Sequence, residues 1–406
     1  MKTSNETSTF EGVHAKQLQV LNYIREQENC TRIEISDALD IDKKTVSTLV
    51  RELAANRLIE SAGYRDSQVG RRQEILQLNG THSNFIGVDL GATHVIGILM
   101  DLRGRMLDRV YFEIRPQLPV KLIIEQMKTI CRTLIGSERA SADICSVGLC
   151  VPGFVNPDTG ISLIAENIPG WRDVRLREIF EQELQLPVYV EDCSRAAGFA
   201  ERWLGEGKRV RNFLTLDLGY GIGMSLFLNG VLYTGTGYKA GEIGHSVVKL
   251  DGAECTCGKR GCLETVASGR GIASQAAMGI QEKKSELLER LTQGRGETVT
   301  AHDVAIAASM NDEYSINLLK QAGRYIGAAS ANAVNLLDPE VLILGGGLVN
   351  AGGVLVESIR QSLKQYTMMG ISEDIEIRVS NLGVDSSALG IALMAMDRIF
   401  VPAVSK

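Results

Sequence analysis

The sequence predicts a small, mostly helical head followed by a larger α/β body built from two similar halves. Glycine marks the boundary, because residues 1–80 contain only four of the 42 glycines in the chain. Beyond Asn84, short runs rich in β-branched residues alternate with helical stretches, as in α/β proteins. A strand–glycine–strand pattern occurs around Asp89 and again around Asp217. The repeated pattern is typical of a duplicated body with two lobes.

The composition indicates an ordinary globular protein of two or three domains. The chain has 406 residues, of which 44% are hydrophobic and 23% charged. A formal net charge of -6 argues against coating nucleic acid along the whole surface, although it allows one local DNA-binding face. No apolar run approaches the roughly 20 residues that span a bilayer, and the N-terminal segment lacks the apolar core of a signal peptide. We therefore expect a cytoplasmic protein without a membrane partner.

Two helices are predicted at the start of the head. The first covers residues 16–27, where leucine and isoleucine recur at helical spacing. The second begins after Thr31, because Glu34 stands three positions later and completes a capping box. It is expected to end near Leu39.

A third helix and a hairpin complete the head. Asp42 can cap a helix over residues 43–57, with its apolar side chains facing inward. Residues 58–79 then indicate a strand, a turn and a second strand. A helix, a helix–turn–helix and a β-hairpin in this order are typical of a winged helix.

The winged helix predicts that the head binds operator DNA. The second helix of a helix–turn–helix lies in the major groove, and basic side chains and helix N-termini contact phosphates. An arginine pair in the hairpin can reach a minor groove, where the negative potential favours arginine. The alternative is a helical domain for protein contacts, which the balanced charge of the head supports. The predicted DNA-contacting residues are Lys43, Lys44, Thr45, Ser47, Thr48, Arg51, Arg71 and Arg72.

Three of the eight cysteines lie close together in the sequence. Cys255, Cys257 and Cys262 follow His245, and one imidazole with three thiolates is a complete tetrahedral zinc set. A set without an open position predicts one structural zinc ion per chain. The alternative is three unrelated thiols near a core histidine. The other five cysteines are scattered and are interpreted as small buried hydrophobes: Cys30, Cys131, Cys145, Cys150 and Cys193.

The same loop would fix two carboxylates in space. Glu242 stands three residues before His245, and Glu264 stands two residues after Cys262. Buried carboxylates that accept hydrogen bonds from hydroxyl groups are suited to a polyhydroxylated ligand.

The body resembles the ROK family, which contains bacterial sugar kinases and sugar-responsive repressors. The resemblance is carried by GEIGH with CTCGKRGCLE, by VPGFVNPDTG, by ENIPGW and by VLILGGG. It covers about residues 82–400, and the winged-helix head is what the repressor branch adds. The resemblance implies an actin-like (ribonuclease H-like) sugar-kinase fold with two lobes. The expected division is residues 1–80 for the head, 81–192 with 385–406 for the small lobe, and 193–384 for the large lobe.

The resemblance also implies that a sugar lies between the lobes. Taken alone, Asn167 could be a turn residue and Asp192 a helix cap. In the kinases of the family, the aspartate that matches Asp192 is the general base that deprotonates the attacking sugar hydroxyl. The residues implied to contact the sugar are Asn167, Asp192, Glu242, His245 and Glu264.

The turns that would face the phosphates of ATP depart from the kinase pattern. Ala92 stands where the kinases favour glycine, and Tyr220 stands where they have threonine between two glycines. Glu191 and Ser194 replace two asparagines beside the catalytic aspartate. ATP with Mg²⁺ is therefore a doubtful cofactor. The candidate phosphate-binding residues are Asp89, Gly91, Thr93, Gly219 and Gly221, while the glycines at 345–347 could pack against a nucleotide or form a strand-to-helix turn.

The expected function is repression of transcription, with a monosaccharide or sugar phosphate as inducer. The protein would bind operator DNA as a homodimer or homotetramer, and the ligand would favour a conformation that binds the operator poorly. The alternatives are an ATP-dependent sugar kinase with an accessory head, and a bifunctional regulator that phosphorylates slowly.

Overall fold

The computed structural model describes residues 14–66, 72–114, 118–293 and 298–400. The head has three helices and a two-stranded antiparallel hairpin, in the order that the sequence predicts. Its elements are α1 (Ala15–Gln27), α2 (Arg32–Leu39), α3 (Lys43–Ala55), β1 (Ile59–Arg65) and β2 (Gln73–Leu78).

The helix starts of the head are formed by the predicted caps. The hydroxyl of Thr31 accepts the backbone N–H of Glu34, and the carboxylate of Glu34 accepts the N–H of Thr31 at 2.7 Å, which completes the capping box. At α3, Oδ1 of Asp42 accepts the N–H groups of Lys44 and Thr45. The predicted helix–turn–helix is therefore confirmed.

The first body sheet has five strands in the order β10-β6-β3-β4-β5, and a small antiparallel sheet of β7, β8 and β9 extends beside it. Two helices, α4 (Val120–Ile135) and α5 (Leu176–Leu184), cover this region. The strands are β3 (Asn84–Leu90), β4 (His94–Asp101), β5 (Met106–Glu113), β6 (Ile144–Val151), β7 (Phe154–Asn156), β8 (Ile161–Ile164), β9 (Arg172–Val174) and β10 (Val188–Asp192).

The second body sheet repeats the arrangement of the first. Its order is β13-β12-β11-β14-β15. The strand that comes first in the sequence, β11, pairs antiparallel with β12 and parallel with β14. The first sheet does the same with β3, β4 and β6. The predicted duplication is thus present. The strands are β11 (Phe213–Leu218), β12 (Ile222–Leu228), β13 (Val231–Leu232), β14 (Val341–Gly345) and β15 (Glu376–Val379).

Helices of the second half surround the second sheet. Between β13 and β14 the described residues form five of them, including the 25-residue α11, whose buried face packs against α12. They are α7 (Glu264–Ala267), α8 (Gly269–Gln281), α9 (Glu286–Leu291), α10 (Ala301–Ser309), α11 (Glu313–Leu337), α12 (Gly353–Tyr366) and α13 (Ile371–Asp374).

Two further helices, α6 (Cys193–Trp203) and α14 (Ser386–Asp397), pack against each other backbone to backbone. A Cβ atom on Gly390 of α14 would lie 1.7 Å from the carbonyl oxygen of Ala196. A Cβ atom on Gly87 of β3 would lie 2.0 Å from the carbonyl oxygen of Ala388. The C-terminal helix thus returns to the first sheet, and glycine is required at both contacts.

The head packs directly on the body. Ile24 and Val50 of the head belong to the same buried apolar cluster as Met100, Leu393 and Phe400 of the body. Within the described ranges, no helix is both long and apolar enough to cross a membrane.

We expect Gly390→Ala to destabilise the body, because the new methyl group must push α14 away from α6 or β3. Overpacking of this kind costs about 1–3 kcal/mol, and urea unfolding followed by circular dichroism measures it. The control is Gly353→Ala at the start of α12, where nothing lies within 4 Å of the added atom. Equal unfolding midpoints for the two variants would contradict the role of this contact.

Candidate ligand cleft and metal loop

A cleft with a cavity of about 710 Å³ lies between the two body sheets. It is bordered by the ends of β3, β10 and β11, by the start of α14, and by the loop that contains the cysteine cluster. Ligands of α/β proteins bind at such strand ends. All ten residues that the sequence predicts for the sugar and the phosphates line this one cavity: Asn167, Asp192, Glu242, His245, Glu264, Asp89, Gly91, Thr93, Gly219 and Gly221.

Asp192 is both a cleft residue and a helix cap. It is the last residue of β10, and its Oδ1 accepts the backbone N–H of Arg195 in the first turn of α6, at 3.0 Å. Burial raises the pKa of its carboxyl group, while the nearby Arg195 guanidinium lowers it. Asp192 therefore caps helix α6, which is the alternative that the sequence left open, and also lines the cleft.

A buried ion pair stands behind Asp192. Arg195 is 2% exposed, and its Nε donates to Oε1 of Glu191 at 2.8 Å. A second nitrogen, NH1, donates to the carbonyl oxygen of Tyr238 at 3.1 Å. The glutamate that replaces an asparagine of the kinase pattern is thus paired with a cation four residues later.

The metal loop brings the predicted ligand atoms together. Single ligand atoms of His245, Cys255, Cys257 and Cys262 all lie within 4.8 Å of one another. The Cys257 and Cys262 Sγ atoms are 3.7 Å apart, which suits two thiolates at about 2.3 Å from one tetrahedral zinc ion. Burial and the neighbouring thiols raise the pKa of Cys262 to about 12, so a bound cation would be needed to hold all three as thiolates. The donor set fits zinc.

His245 lies between the cysteine cluster and the cleft. Its Nδ1 is 3.6 Å from Sγ of Cys255, and its Nε2 is 3.8 Å from a carboxylate oxygen of Glu166 on the other side. Glu166 is not among the residues predicted from the sequence, although it directly precedes Asn167. Its position next to a predicted sugar contact is the signal that could have indicated it.

Arg270, which is also not among the residues predicted from the sequence, links Glu264 and Asn167 across the cleft. Oε1 of Glu264 accepts the backbone N–H of Ile222 at 2.7 Å. Arg270 donates weakly to Oε2 of Glu264 at 3.5 Å and to Oδ1 of Asn167 at 3.4 Å. Its guanidinium also lies 5.9 Å from the centre of the Tyr220 ring. The tyrosine at the second phosphate turn therefore faces an arginine of the cleft.

Glu242 has an unusual proton affinity for a carboxyl group. Burial raises its pKa to about 7, and the negative charges of Asp192, Glu166 and Glu264 add to the effect. Such a carboxyl group can donate or accept a hydrogen bond near neutral pH.

Two aspartates lie at the cleft floor, one from each repeat. Asp89 accepts a hydrogen bond from the Cys150 thiol at 3.3 Å, and burial raises the pKa of that thiol to about 12. Asp217 has its pKa raised to about 6 by burial and by the charges of Asp89 and Asp192. The interpretation of Cys150 as a simple hydrophobe is therefore incomplete, and Cys193 and Cys145 are only half-buried.

The candidate DNA face is the outer side of α3. Lys43, Lys44, Thr48 and Arg51 are exposed, and Thr45 and Ser47 are partly exposed. The exposed Arg72 forms an ion pair with Asp66 at 3.0 Å, whereas Arg71 lies outside the described residues.

We expect Cys257→Ser to lose the metal. Elemental analysis should find about one zinc ion per wild-type chain and almost none in the variant, because serine is a poor ligand for zinc. The control is Cys145→Ser, which changes a half-buried cysteine outside the cluster and should keep the zinc. Stoichiometric zinc in Cys257→Ser would contradict the assignment.

We expect Asp217→Asn to stabilise the protein at high pH. The folded-state pKa of about 6 lies above the usual aspartate pKa of 3.8, so ionisation opposes folding and stability is lost as the pH rises through this interval. The melting temperature of the variant should exceed that of the wild type at about pH 8, and the difference should shrink towards about pH 5. Asp143→Asn, which changes an exposed aspartate, is the control. A difference in melting temperature between Asp217→Asn and the wild type that does not vary with pH would refute the raised pKa of Asp217.

The chain matches two known families in different segments. Residues 85–398 match the ROK family, and residues 11–73 match the MarR family. The chain is 36% identical over 308 residues to a glucokinase of Halalkalibacterium halodurans, which covers 75% of this chain and 93% of that protein. It is 28% identical over 387 residues to a xylose repressor of Caldicellulosiruptor bescii, which covers 95% of this chain and 96% of that protein.

One solved structure matches both the head and the body, and another matches the body alone. A ROK family transcriptional regulator, a homolog of the E. coli MLC protein, superposes with a TM-score of 0.79 at 25% identity, over 95% of this chain and 96% of that one. A ROK family glucokinase from Streptomyces griseus, in complex with glucose and AMPPNP, gives a TM-score of 0.69 at 28% identity, over 77% of this chain and 99% of that one. With its MarR-type winged helix and its actin-like, two-lobed body, the chain belongs to the ROK family.

Proposed function

We propose that this protein is a sugar-responsive transcriptional repressor. One observation carries the proposal: the same chain presents a winged helix with an exposed polar and basic face and a cleft that gathers all five predicted sugar contacts. The full-length similarity to xylose repressors, at 95% coverage of this chain, supports it. Head and body therefore each have a binding role.

The ligand is a monosaccharide or a sugar phosphate held by side-chain hydrogen bonds. Carboxylates accept hydrogen bonds from hydroxyl groups, and an amide can both donate and accept. A neutral polyol satisfies such a set without leaving a buried charge unpaired. The residues proposed to contact it are Asn167, Asp192, Glu242, His245 and Glu264.

One structural zinc ion per chain is the proposed cofactor, held by His245, Cys255, Cys257 and Cys262. Because the four protein ligands complete its coordination, the ion has no open position at which to activate a water molecule. When bound, it would hold His245 with Nε2 directed to the cleft and keep the adjoining loop in place. Loss of zinc should therefore weaken sugar binding.

The head is proposed to bind operator DNA in the cytoplasm through Lys43, Lys44, Thr45, Ser47, Thr48, Arg51, Arg71 and Arg72. A homodimer or homotetramer would present two heads at a fixed separation, which half-site spacing requires. We propose the division into residues 1–80, 81–192 with 385–406, and 193–384. Closure of the two lobes on a sugar would then change the separation of the heads.

A sugar kinase is the second candidate. It is favoured by the position of Asp192 in the cleft and by the 36% identity to a glucokinase. The exposed Tyr220 ring at the second phosphate turn and the Glu191–Arg195 pair beside the would-be base weigh against ordinary turnover. A bifunctional regulator with slow phosphorylation lies between the two candidates.

We expect one monosaccharide of a tested panel to weaken the binding of the protein to DNA from the promoter region of its own gene. The factor should be about 5–150-fold, the usual range of allosteric coupling, and fluorescence anisotropy measures it. Asn167→Ala should bind the DNA normally but lose the response. Arg51→Ala should bind sugar normally but bind DNA less tightly, with a reduced dependence on salt.

The control for the DNA face is Lys121→Ala, which removes an exposed lysine of α4 in the body. Absence of binding to any promoter-proximal DNA would refute the repressor. ADP release with the same sugars, at rates of ordinary kinases of about 1–100 per second, would establish the kinase candidate instead.

A further inference from the structure

A buried arginine joins the head to the body. Arg25, in the last turn of α1, has a side chain that is 4% exposed. Its guanidinium carbon lies 3.7 Å from the centre of the Trp203 ring and 4.7 Å from that of Phe400. Its NH1 donates to Oδ1 of Asp397 at 2.6 Å. Burying a cation is costly, and neither DNA binding nor sugar binding explains this one.

The partners of Arg25 stand at the far ends of two helices that begin at the cleft. Trp203 ends α6, whose first turn is capped by Asp192. Asp397 ends α14, which begins at Ser386 in the cleft wall. With 11 and 12 residues, the helices span about 16 and 18 Å. Two separate elements thus lead from the ligand cavity to the same side chain.

These helices cannot move independently of their surroundings. Besides the contact of Gly390 with Ala196, α6 also packs tightly on the second sheet. A Cβ atom on Gly198 would lie 1.8 Å from Oγ of Ser225, and one on Gly223 would lie 2.0 Å from Oγ of Ser194. Helix α6 therefore touches both sheets, and a change in the angle between the lobes must displace it relative to one of them.

The chemistry of the contact makes it sensitive to such a displacement. A guanidinium stacks on aromatic rings only when the planes approach closely, and its hydrogen bond to a carboxylate depends on direction. Within the part of the chain that the structure describes, Nη2 of Arg25 is buried without a hydrogen-bond partner, so Asp397 compensates the cation through Nη1 only. Small shifts of Trp203 or Asp397 should then change the free energy of the contact. The free energy of a contact between apolar side chains would change little with the same shifts.

We propose that Arg25 is the coupling residue through which the head senses occupancy of the cleft. This inference rests on the proposed function and adds the route by which the two sites communicate. Sugar-driven displacement of α6 and α14 alters the stacking on Trp203 and the ion pair with Asp397. The head then changes its orientation on the body, and the spacing of two heads no longer fits the operator.

The other ion pairs between head and body that the described residues form do not have this placement. Lys208 pairs with Glu28, Arg103 pairs with Glu60, and Arg202 lies 3.8 Å from Glu26, but the partners are exposed or partly exposed. Exposed pairs contribute little free energy and are screened by salt. Lys208 therefore provides a matched control, because its substitution removes a head–body ion pair without disturbing the buried contact.

The test compares Arg25→Met with Lys208→Met. Methionine is unbranched and fills a gap between rings without charge or directional hydrogen bonds. In Arg25→Met, the affinity of the DNA-free protein for sugar and the affinity of the sugar-free protein for DNA should each stay within about threefold of wild type. The factor by which sugar weakens DNA binding should fall from about 5–150-fold to below about twofold, and the reciprocal effect of DNA on sugar affinity should fall equally. Lys208→Met should keep the wild-type factor.

Each outcome is decisive for one of the two claims. Wild-type coupling in Arg25→Met overturns the role of Arg25 and leaves the repressor intact, whereas a wild type that responds to no sugar overturns the proposed function itself. If Arg25→Met fails to fold, hydrogen exchange of the wild type replaces it. Sugar should then speed exchange of amides in the last turn of α1, and unchanged exchange there overturns the inference.

Discussion

The close contact between α6 and α14 is the constraint on which the body depends. Because Gly390 meets the carbonyl oxygen of Ala196 without room for a side chain, the two helices lie in direct backbone contact. Helix α14 makes a second contact of this kind with the first sheet at Gly87, and α6 begins directly after Asp192. The position of this cleft carboxylate is therefore tied to the packing of both helices.

Charge balance explains how the cleft can depart from the kinase pattern and stay folded. Glu191 adds a buried acid beside Asp192; the guanidinium of Arg195 pairs with Glu191, while the backbone N–H of Arg195 donates to Asp192. An unpaired buried charge would cost several kcal/mol, so the glutamate that replaces an asparagine depends on the arginine four residues later. At the same floor, burial together with the negative charges of Asp89 and Asp192 raises the pKa of Asp217 to about 6. A phosphate brought to this floor would meet further negative charge unless a cation came with it.

Features encoded by nearby residues could be predicted from the sequence, whereas those formed by distant residues could not. The capping box at Thr31 and Glu34 and the convergence of the four metal-loop side chains follow from short spacings. The Arg25–Asp397 pair joins residues 372 positions apart, and no periodicity or motif marks either of them. Arg270 was likewise missed, because its link to Asn167 exists only once the two lobes meet.

The head and the body share one apolar cluster, yet a cation lies within their contact. The free energy of an interface of apolar side chains alone would change little with small shifts of the head, since hydrophobic burial is non-directional. A stacked guanidinium adds directional contacts whose free energy changes with the geometry around it. Burying the Arg25 cation within this contact gives up some stability. A ligand can shift the population between two arrangements of the head only if their free energies differ by a few kcal/mol. A contact that gives up some stability is compatible with this requirement.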